Sequence, residues 1–387
     1  MSSYDALVIG AGFAGAVAAR ELAERGGMHV LLLERRPHVA GNAYDCTDHA
    51  DILIHQYGPH IFHTNNKRVF DYLSRFTKWR DYQHRVVANV YGTLMPVPFN
   101  LTSLKLAFGS DRAQQLEEKL LSTYGLEQKV GILELRQSED PDLAMVADYI
   151  YEHVFLHYTM KQWGTTPEQI DPNTTARVPV FLSLDDRYFQ DRYQGMPLDG
   201  YTAMFQRILD HPNIEVALSS SAEEHLTLAN GSLTLDGIPF SGPVIYTGAV
   251  DELFSCRYGR LPYRTLEFHF DTLDQEWFQS HGTVNYTVSE PYTRITEFKH
   301  MTGQVQPEKT TIVKEFSLAY DGTPGSVPYY AVLSPKSKSL YESYRDLSCQ
   351  YPNLYLLGRL AEYQYYNMDA ITEQALLLSD RLITQRG

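Results

Sequence analysis

The residues of this chain that could do chemistry are a run of glycines, one carboxylate, two closely spaced histidines and an excess of tyrosines. Gly10, Gly12 and Gly15 stand in the order G-x-G-x-x-G, with Phe13 and Ala14 inside the turn. Glycines at this spacing permit a tight turn and let backbone N–H groups approach a pyrophosphate; a helix opening there adds free amides and its positive end. Glu34, about 20 residues further on, is placed to hold ribose hydroxyls, and an acid at that point favours an unphosphorylated ribose. Tyrosines number 28 against 3 tryptophans. A phenol joins a flat apolar face, suited to a base or sugar, to a hydroxyl that can reach phosphate. His60 and His63 share an apolar segment at a spacing that could suggest a metal. No third cluster of cysteine, histidine or carboxylate accompanies them, so no metal is expected.

The elements that must position these groups can be read from the apolar pattern. Residues 6–9 are a continuous apolar run, as expected of a parallel strand buried on both faces. Ala14, Val17, Ala18 and Leu22 then recur near helical spacing, and residues 30–33 form a second apolar run ending at Glu34. Strand, glycine turn, helix and strand are in the order that binds a dinucleotide. Glu34-Arg35-Arg36 is followed by a second turn, Ala40-Gly41-Asn42-Ala43. That extension resembles flavoproteins of the glutathione-reductase-like class and favours FAD over NAD. Residues 354–357 read as a strand returning to this sheet, ahead of Gly358 and a helix starting near Asp369. In such flavoproteins a late helix points its N-terminus at the flavin, where its dipole favours the reduced anion. Residues 244–248 read as another late strand of the same sheet. Residues 101–148 are rich in good helix formers. Residues 85–91 and 93–97 flank Gly92 as a hairpin, and strand-like runs between 180 and 330 suggest an antiparallel sheet.

Composition excludes several classes. The net charge is −14 with no dense basic run, whereas a duplex binder needs a cationic face, so no nucleic-acid partner is expected. Cys46, Cys256 and Cys349 are odd in number and far apart, which suits neither a disulfide framework nor zinc. No run approaches the roughly 20 apolar residues of a membrane span. The early first strand leaves no room for a leader, and a cytoplasmic protein without membrane partners is expected.

Six longer segments resemble one family, the UDP-galactopyranose mutases. They are Tyr57-Gly58-Pro59-His60-Ile61-Phe62-His63-Thr64-Asn65, Tyr158-Thr159-Met160-Lys161-Gln162-Trp163-Gly164, Tyr188-Phe189-Gln190-Asp191-Arg192-Tyr193-Gln194-Gly195, Tyr292-Thr293-Arg294-Ile295, Pro328-Tyr329-Tyr330, and the run from Gly358-Arg359-Leu360 to Asn367-Met368-Asp369. They follow the family's order from the first strand to the last helix. The resemblance implies an intramolecular transferase that interconverts the pyranose and furanose forms of UDP-galactose, supplying cell-surface polysaccharide. N5 of reduced FAD attacks the anomeric carbon and displaces UDP, without net redox change. It also implies site residues. Arg294 and Arg359 would grip the diphosphate, with Arg177 on a mobile loop; Phe155, Tyr158 and Trp163 would form the nucleoside pocket. Tyr188, Tyr329, Tyr330, Tyr365 and Asn367 would reach diphosphate or sugar. His63, Arg294 and Arg359 would be catalytic. Gly10, Gly12, Phe13, Ala14, Gly15, Glu34, Arg35, Gly41, Asn42, Tyr57, His60, Ile61, Gly358, Arg359 and Met368 would hold FAD, both histidines lying beside the isoalloxazine.

The expected fold is α/β: a Rossmann-like FAD-binding domain (1–80, 215–250 and 350–387), an inserted helical domain with the substrate loop (100–177), and an antiparallel β-sheet substrate domain (81–99, 178–214 and 251–349). A homodimer and an external reductant are implied by resemblance alone. Three positions depart from the family pattern: Asn367 stands where many bacterial members carry Asp, Phe181 where a basic residue is frequent, and Ala331 where Pro is frequent. They leave TDP-linked, 6-deoxy or N-acetyl sugar nucleotides open as substrates. An amine-oxidase-like oxidoreductase shares the N-terminal signals but gives no reason for Arg294 and Arg359 within tyrosine-rich motifs.

Overall fold

The first strand, Ala6–Ile9, is buried at every residue, as its unbroken apolar run requires. In this computed structural model, which describes residues 4–166, 179–323 and 325–386, it pairs in parallel with Val30–Glu34 on one side and Val244–Tyr246 on the other. Ile214–Leu218 and Leu354–Leu356 complete a five-stranded parallel sheet at its two edges. Helix Phe13–Glu24 packs on this sheet together with Gly200–Leu209 and the terminal helix Met368–Arg386, in a core built around Phe13, Tyr201 and Phe205. The carboxyl ends of Ala6–Ile9, Val30–Glu34, Val244–Tyr246 and Leu354–Leu356 meet at one edge, where open α/β sheets bind ligands.

A second sheet has seven strands in the order Tyr330–Ala331, Tyr263–Leu273, Thr310–Ala319, Arg294–Glu297, Thr283–Tyr286, Val86–Val90 and Thr93–Val97. Its hairpin at residues 90–93 turns through Tyr91 (φ 51°) and Gly92 (φ 92°), the two positive values that match a hairpin turn to strand twist. The sheet is mixed rather than wholly antiparallel. Val86–Val90 runs parallel to Thr283–Tyr286, because the intervening chain passes through whole further units before it returns.

Helices Leu101–Phe108, Ser110–Tyr124, Ile132–Leu135 and Pro141–Ile150 share a core with the hairpin Val86–Val90 and Thr93–Val97 of this second sheet. Asn100 and Asp140 cap the first and last of these with side-chain oxygens on free backbone amides. The chain then makes one π-helical turn, Tyr151–Leu156, before helix His157–Trp163. Such turns re-aim side chains and are frequent at functional sites. The segment 178–214 does not join the seven-stranded sheet as expected. Val180–Phe181 pairs with Lys129–Val130, Tyr193–Pro197 pairs with Phe62–Thr64 and Trp79–Asp81, and Gly200–Leu209 enters the nucleotide core. Its apolar face matches the parallel sheet's helices, which sequence periodicity alone cannot distinguish. Phe181 is buried with the Lys129 ammonium 5.4 Å from its ring centre. Among the described residues no helix is long and apolar enough to cross a membrane.

Candidate active site

The edge where the strand ends meet opens into a cavity lined by Gly10, Gly12, Phe13, Ala14, Glu34, Arg35, Arg36, Gly41, Asn42, His60, Tyr329, Gly358, Arg359 and Met368, among others. Its shape depends on missing side chains. A Cβ on Gly10, whose φ is +102°, would lie 2.0 Å from Thr247 Oγ1, and one on Gly41 would lie 2.9 Å from Gly12 Cα. The two glycine turns therefore touch backbone to backbone. Gly12 provides no side-chain cap for the following helix, so its first amides remain available to an anion. Glu34 is buried and braces the turn, accepting from the Ala11 amide at 2.8 Å and the Arg36 amide at 2.9 Å. Arg36 lies over Tyr57 at 4.3 Å and donates through Nη2 to Asn42 Oδ1 at 2.9 Å, while its buried Nη1 has no partner. An unpartnered guanidinium nitrogen beside uncapped helix amides fits the pyrophosphate of a dinucleotide.

Against the wall of this cavity stands a second group of side chains. Arg359 donates to the Tyr366 carbonyl at 2.6 Å and lies over Tyr365 at 4.7 Å and Tyr330 at 5.4 Å. Those two tyrosine rings stack at 6.1 Å with 12° between planes, and Trp163 lies 6.0 Å from Tyr330. Arg294, opposite, forms an ion pair at 2.9 Å with Glu315, a carboxylate 1% exposed. Among the described residues no well-aligned hydrogen-bond donor reaches either Glu315 oxygen. Burial pushes this carboxyl up, and the Arg294 guanidinium pulls it back down. The Arg294 charge also acts on the phenols of Tyr158, Tyr188 and Tyr330. Burial raises all three, Tyr330 to about 12 with Tyr365 next to it, so at neutral pH they are intact O–H donors.

His60 joins the two groups of residues. Burial above all, then the neighbouring His55 ring and the Arg359 and Arg294 charges, push it down to about 3. Its Nδ1 lies 2.8 Å from the Gly58 carbonyl, which can only accept, so Nδ1 carries the proton and Nε2 is a bare acceptor. Arg359 and His60 thus line the dinucleotide cavity, and the Arg294 charge reaches His60 and the buried tyrosines next to them.

A family model described as UDP-galactopyranose mutase matches residues 153–365, and one described as an NAD(P)-binding Rossmann-like domain matches residues 8–76. The chain belongs to the UDP-galactopyranose mutase family. It is 35% identical to a probable UDP-galactopyranose mutase of Klebsiella pneumoniae, over 99% of this chain and 96% of that one. It is 34% identical to the UDP-galactopyranose mutase of Mycoplasma pneumoniae, over 99% and 97%, and 33% identical to a dTDP-fucopyranose mutase of Escherichia coli, over 96% of each. A crystal structure of reduced UDP-galactopyranose mutase superposes with a TM-score of 0.73 at 15% identity, covering 100% of this chain and 95% of that one. Putrescine oxidase shares the fold at a TM-score of 0.61 and 12% identity, covering 98% and 99%.

Within this mutase-family fold, the structure sorts the residues singled out in the sequence. Tyr158, Trp163, Tyr188, Arg294, Tyr330, Arg359 and Tyr365 come together. Tyr329 does not join them: it is 4% exposed, packs on Phe268 and lines the dinucleotide cavity, because adjacent residues entering a strand face opposite ways. Phe155 is buried in the helical core, its ring 6.1 Å from Tyr151. His63 turns away from the cavity; it stacks on Phe189 at 3.6 Å, and Nδ1 meets Asp191 at 2.7 Å. The cavity position falls to His60. Gly15 lies behind the lining, where a Cβ would come 1.9 Å from the Gly10 carbonyl, and its role is close helix–strand contact. Tyr57 supports Arg36 from beneath, and Ile61 packs on the core. Asn367 is exposed, its carbonyl accepting from Ile371 in the first turn of the last helix. Arg177 and its loop lie outside the described residues.

Sequence reasoning missed Arg36, Glu315 and Glu362. Glu362 accepts from the Gly358 amide at 2.8 Å and from the Tyr366 hydroxyl at 3.1 Å, fixing the loop that presents Arg359. Glu315 had a legible signal: in the strand Thr310–Ala319 it alternates onto the face of Thr311 and Val313, an acid on an otherwise inward face.

Proposed function

We propose that the enzyme interconverts UDP-galactopyranose and UDP-galactofuranose with FAD as cofactor, active only when the flavin is reduced. The observation that carries this reading is that Arg359, beneath stacked tyrosines on the cavity wall, and Arg294 both act on His60 of the dinucleotide cavity. Gly10, Gly12, Gly41, Glu34 and Arg36 would hold the FAD pyrophosphate and ribose, and His60, Arg359 and Met368 would border its ring end. Reduced flavin supplies a nucleophilic N5 to the anomeric carbon.

The residues of the chain then have definite tasks. The departing UDP carries about two negative charges on a protein that is itself anionic. A guanidinium about 4 Å from a phosphate contributes roughly 4 kcal/mol at an effective dielectric near 20, whereas diffuse surface repulsion is screened beyond about 8 Å at physiological salt. The local arginines therefore decide the sign. The intact phenols of Tyr158, Tyr188 and Tyr330 donate to diphosphate or sugar oxygens, and stacked aromatic faces exclude water. His60 as a neutral acceptor can take a hydrogen bond from the ring end of the cofactor without adding positive charge.

A homodimer in the cytoplasm, its flavin reduced by an external donor, completes the proposal. A second reading, the same chemistry on a dTDP-linked 6-deoxy sugar, is favoured by the 33% identity to a dTDP-fucopyranose mutase. Assaying UDP-galactofuranose and dTDP-fucofuranose side by side with dithionite-reduced enzyme decides between them. Stoichiometric oxygen consumption with an amine would instead place the protein with the oxidases of its fold.

A further inference from the structure

Half-buried Lys161 of helix His157–Trp163 points its ammonium at three backbone carbonyls, those of Tyr286 (2.5 Å), Glu290 (2.9 Å) and Tyr292 (3.2 Å). Tyr286 ends the strand Thr283–Tyr286, and Glu290 and Tyr292 lie in its connection to Arg294–Glu297, which delivers Arg294. The same connection reaches the other end of the helical segment. Buried Thr287 donates through Oγ1 at 2.6 Å to the His153 carbonyl in the π turn Tyr151–Leu156. From the far side Arg264 binds the Lys161 and Gln162 carbonyls at 3.2 and 3.0 Å, and Ser317 adds a bond to Gln162 at 2.7 Å.

We propose that Lys161 and Thr287 are positioning residues that clamp the helix bearing Tyr158 and Trp163 to the hairpin bearing Arg294, and so set the spacing between the aromatic wall and the phosphate-binding cation. The proposal rests on the mutase reading of that site. Neither residue touches the tyrosine cluster, but together they tie both ends of one ligand-bearing element to the base of the other. Uncharged or shortened side chains at these positions leave carbonyls unpaired and the helix free to shift, and a displacement of about 1 Å at a reacting centre can cost roughly a hundred-fold.

Burial pushes Lys161 down to about 8, with Glu290 opposing. Glu290 is the charged group set against it, and its other contacts are the backbone carbonyls. A neutral amine has only two hydrogens for three carbonyls, so the clamp weakens as pH rises through that value.

The test is UDP binding to flavin-loaded wild type, Lys161→Met, Lys161→Arg and Thr287→Val, measured by calorimetry at pH 7 and pH 9, with kcat and KM on reduced enzyme alongside. At pH 7, Lys161→Met and Thr287→Val should bind UDP roughly ten- to a hundred-fold more weakly with normal flavin content, and KM should rise more than kcat falls. At pH 9 the gap between wild type and Lys161→Met should narrow, while Lys161→Arg, which cannot titrate, should bind equally well at both. Should Lys161→Met fail to load flavin, Thr287→Val and the pH dependence of wild type against Lys161→Arg decide the matter. Wild-type affinity in the loaded variants, or a gap that does not change with pH, overturns the clamp. Absence of turnover by reduced wild type would overturn the mutase reading instead, leaving UDP binding to report on the clamp.

Discussion

Arg294 has two partners in this account, the buried Glu315 carboxylate beneath it and the substrate diphosphate above it, and replacing it by methionine separates their contributions. In the free enzyme Arg294→Met leaves Glu315, 1% exposed and 2.9 Å from the lost cation, without compensation. Removing one partner of a buried pair costs about 3–5 kcal/mol. The sign with pH follows from the carboxyl. Burial already raises it, and loss of Arg294 raises it further above its unfolded value near 4.3. The deficit is therefore largest at neutral pH and shrinks as pH falls and Glu315 takes up a proton. Turnover loses the diphosphate contact as well: about 2–5 kcal/mol, or about 30- to 4,000-fold in kcat/KM at about 1.4 kcal/mol per tenfold. Adding Glu315→Gln removes the stranded charge. The double variant should regain most of the thermal stability at pH 7.5 and almost none of the activity on UDP-galactofuranose. Recovery of turnover in the double variant would refute the reasoning, since Arg294 would then act only by neutralising Glu315. So would a single variant whose kcat/KM stays within about threefold of wild type.

Arg36→Met removes a charged donor from the dinucleotide cavity and should weaken FAD retention about 10- to 150-fold, from about 1.5–3 kcal/mol, as read by flavin release on dilution; unchanged retention would remove Arg36 from the cofactor site. Tyr330→Phe should weaken UDP binding roughly fivefold and leave the flavin spectrum alone, whereas Tyr329→Phe should perturb the spectrum and leave UDP affinity intact; the reverse pattern would exchange their places. Buried His55 at about 4 and His84 at about 3, and His60 of the cavity wall at about 3, lie below their unfolded value of about 6.5. The unfolded chain takes those protons first, so stability present at neutral pH is lost as pH falls below about 6.5, and His84→Gln should flatten that loss by roughly a third; an identical pH–melting curve would contradict it.

Much of this was legible in the sequence because local chemistry forced it. The strand–glycine–helix unit and Glu34 could be placed from residue type alone, since a Cβ at Gly10 or Gly41 has nowhere to go, and the late strands showed as short fully apolar runs. What could not be read were choices of side that depend on tertiary register. Tyr329 and Tyr330 are neighbours in the chain, but Tyr329 lines the dinucleotide cavity while Tyr330 stacks with Tyr365 under Arg359. His60 and His63 look equivalent in an apolar segment, and only the pairing of Phe62–Thr64 with Tyr193–Pro197 turns His63 toward Asp191 and Phe189. Of the adjacent Arg35 and Arg36, both line the cavity, but Arg35 leans to Glu252 and leaves Arg36 with the unmatched nitrogen. Within residues 178–214, expected in the substrate sheet, helix Gly200–Leu209 joins the nucleotide core instead, because an amphipathic face does not name the sheet it will cover.

The central claim is that these arginines and tyrosines serve a sugar nucleotide held against a reduced flavin. The rate on UDP-galactofuranose, compared between oxidised and dithionite-reduced enzyme under strict anaerobiosis, tests it most directly. The account predicts conversion to UDP-galactopyranose by the reduced form alone, with the flavin still reduced when the reaction reaches equilibrium. Equal rates for both forms, or one flavin reoxidised per sugar converted, would contradict it.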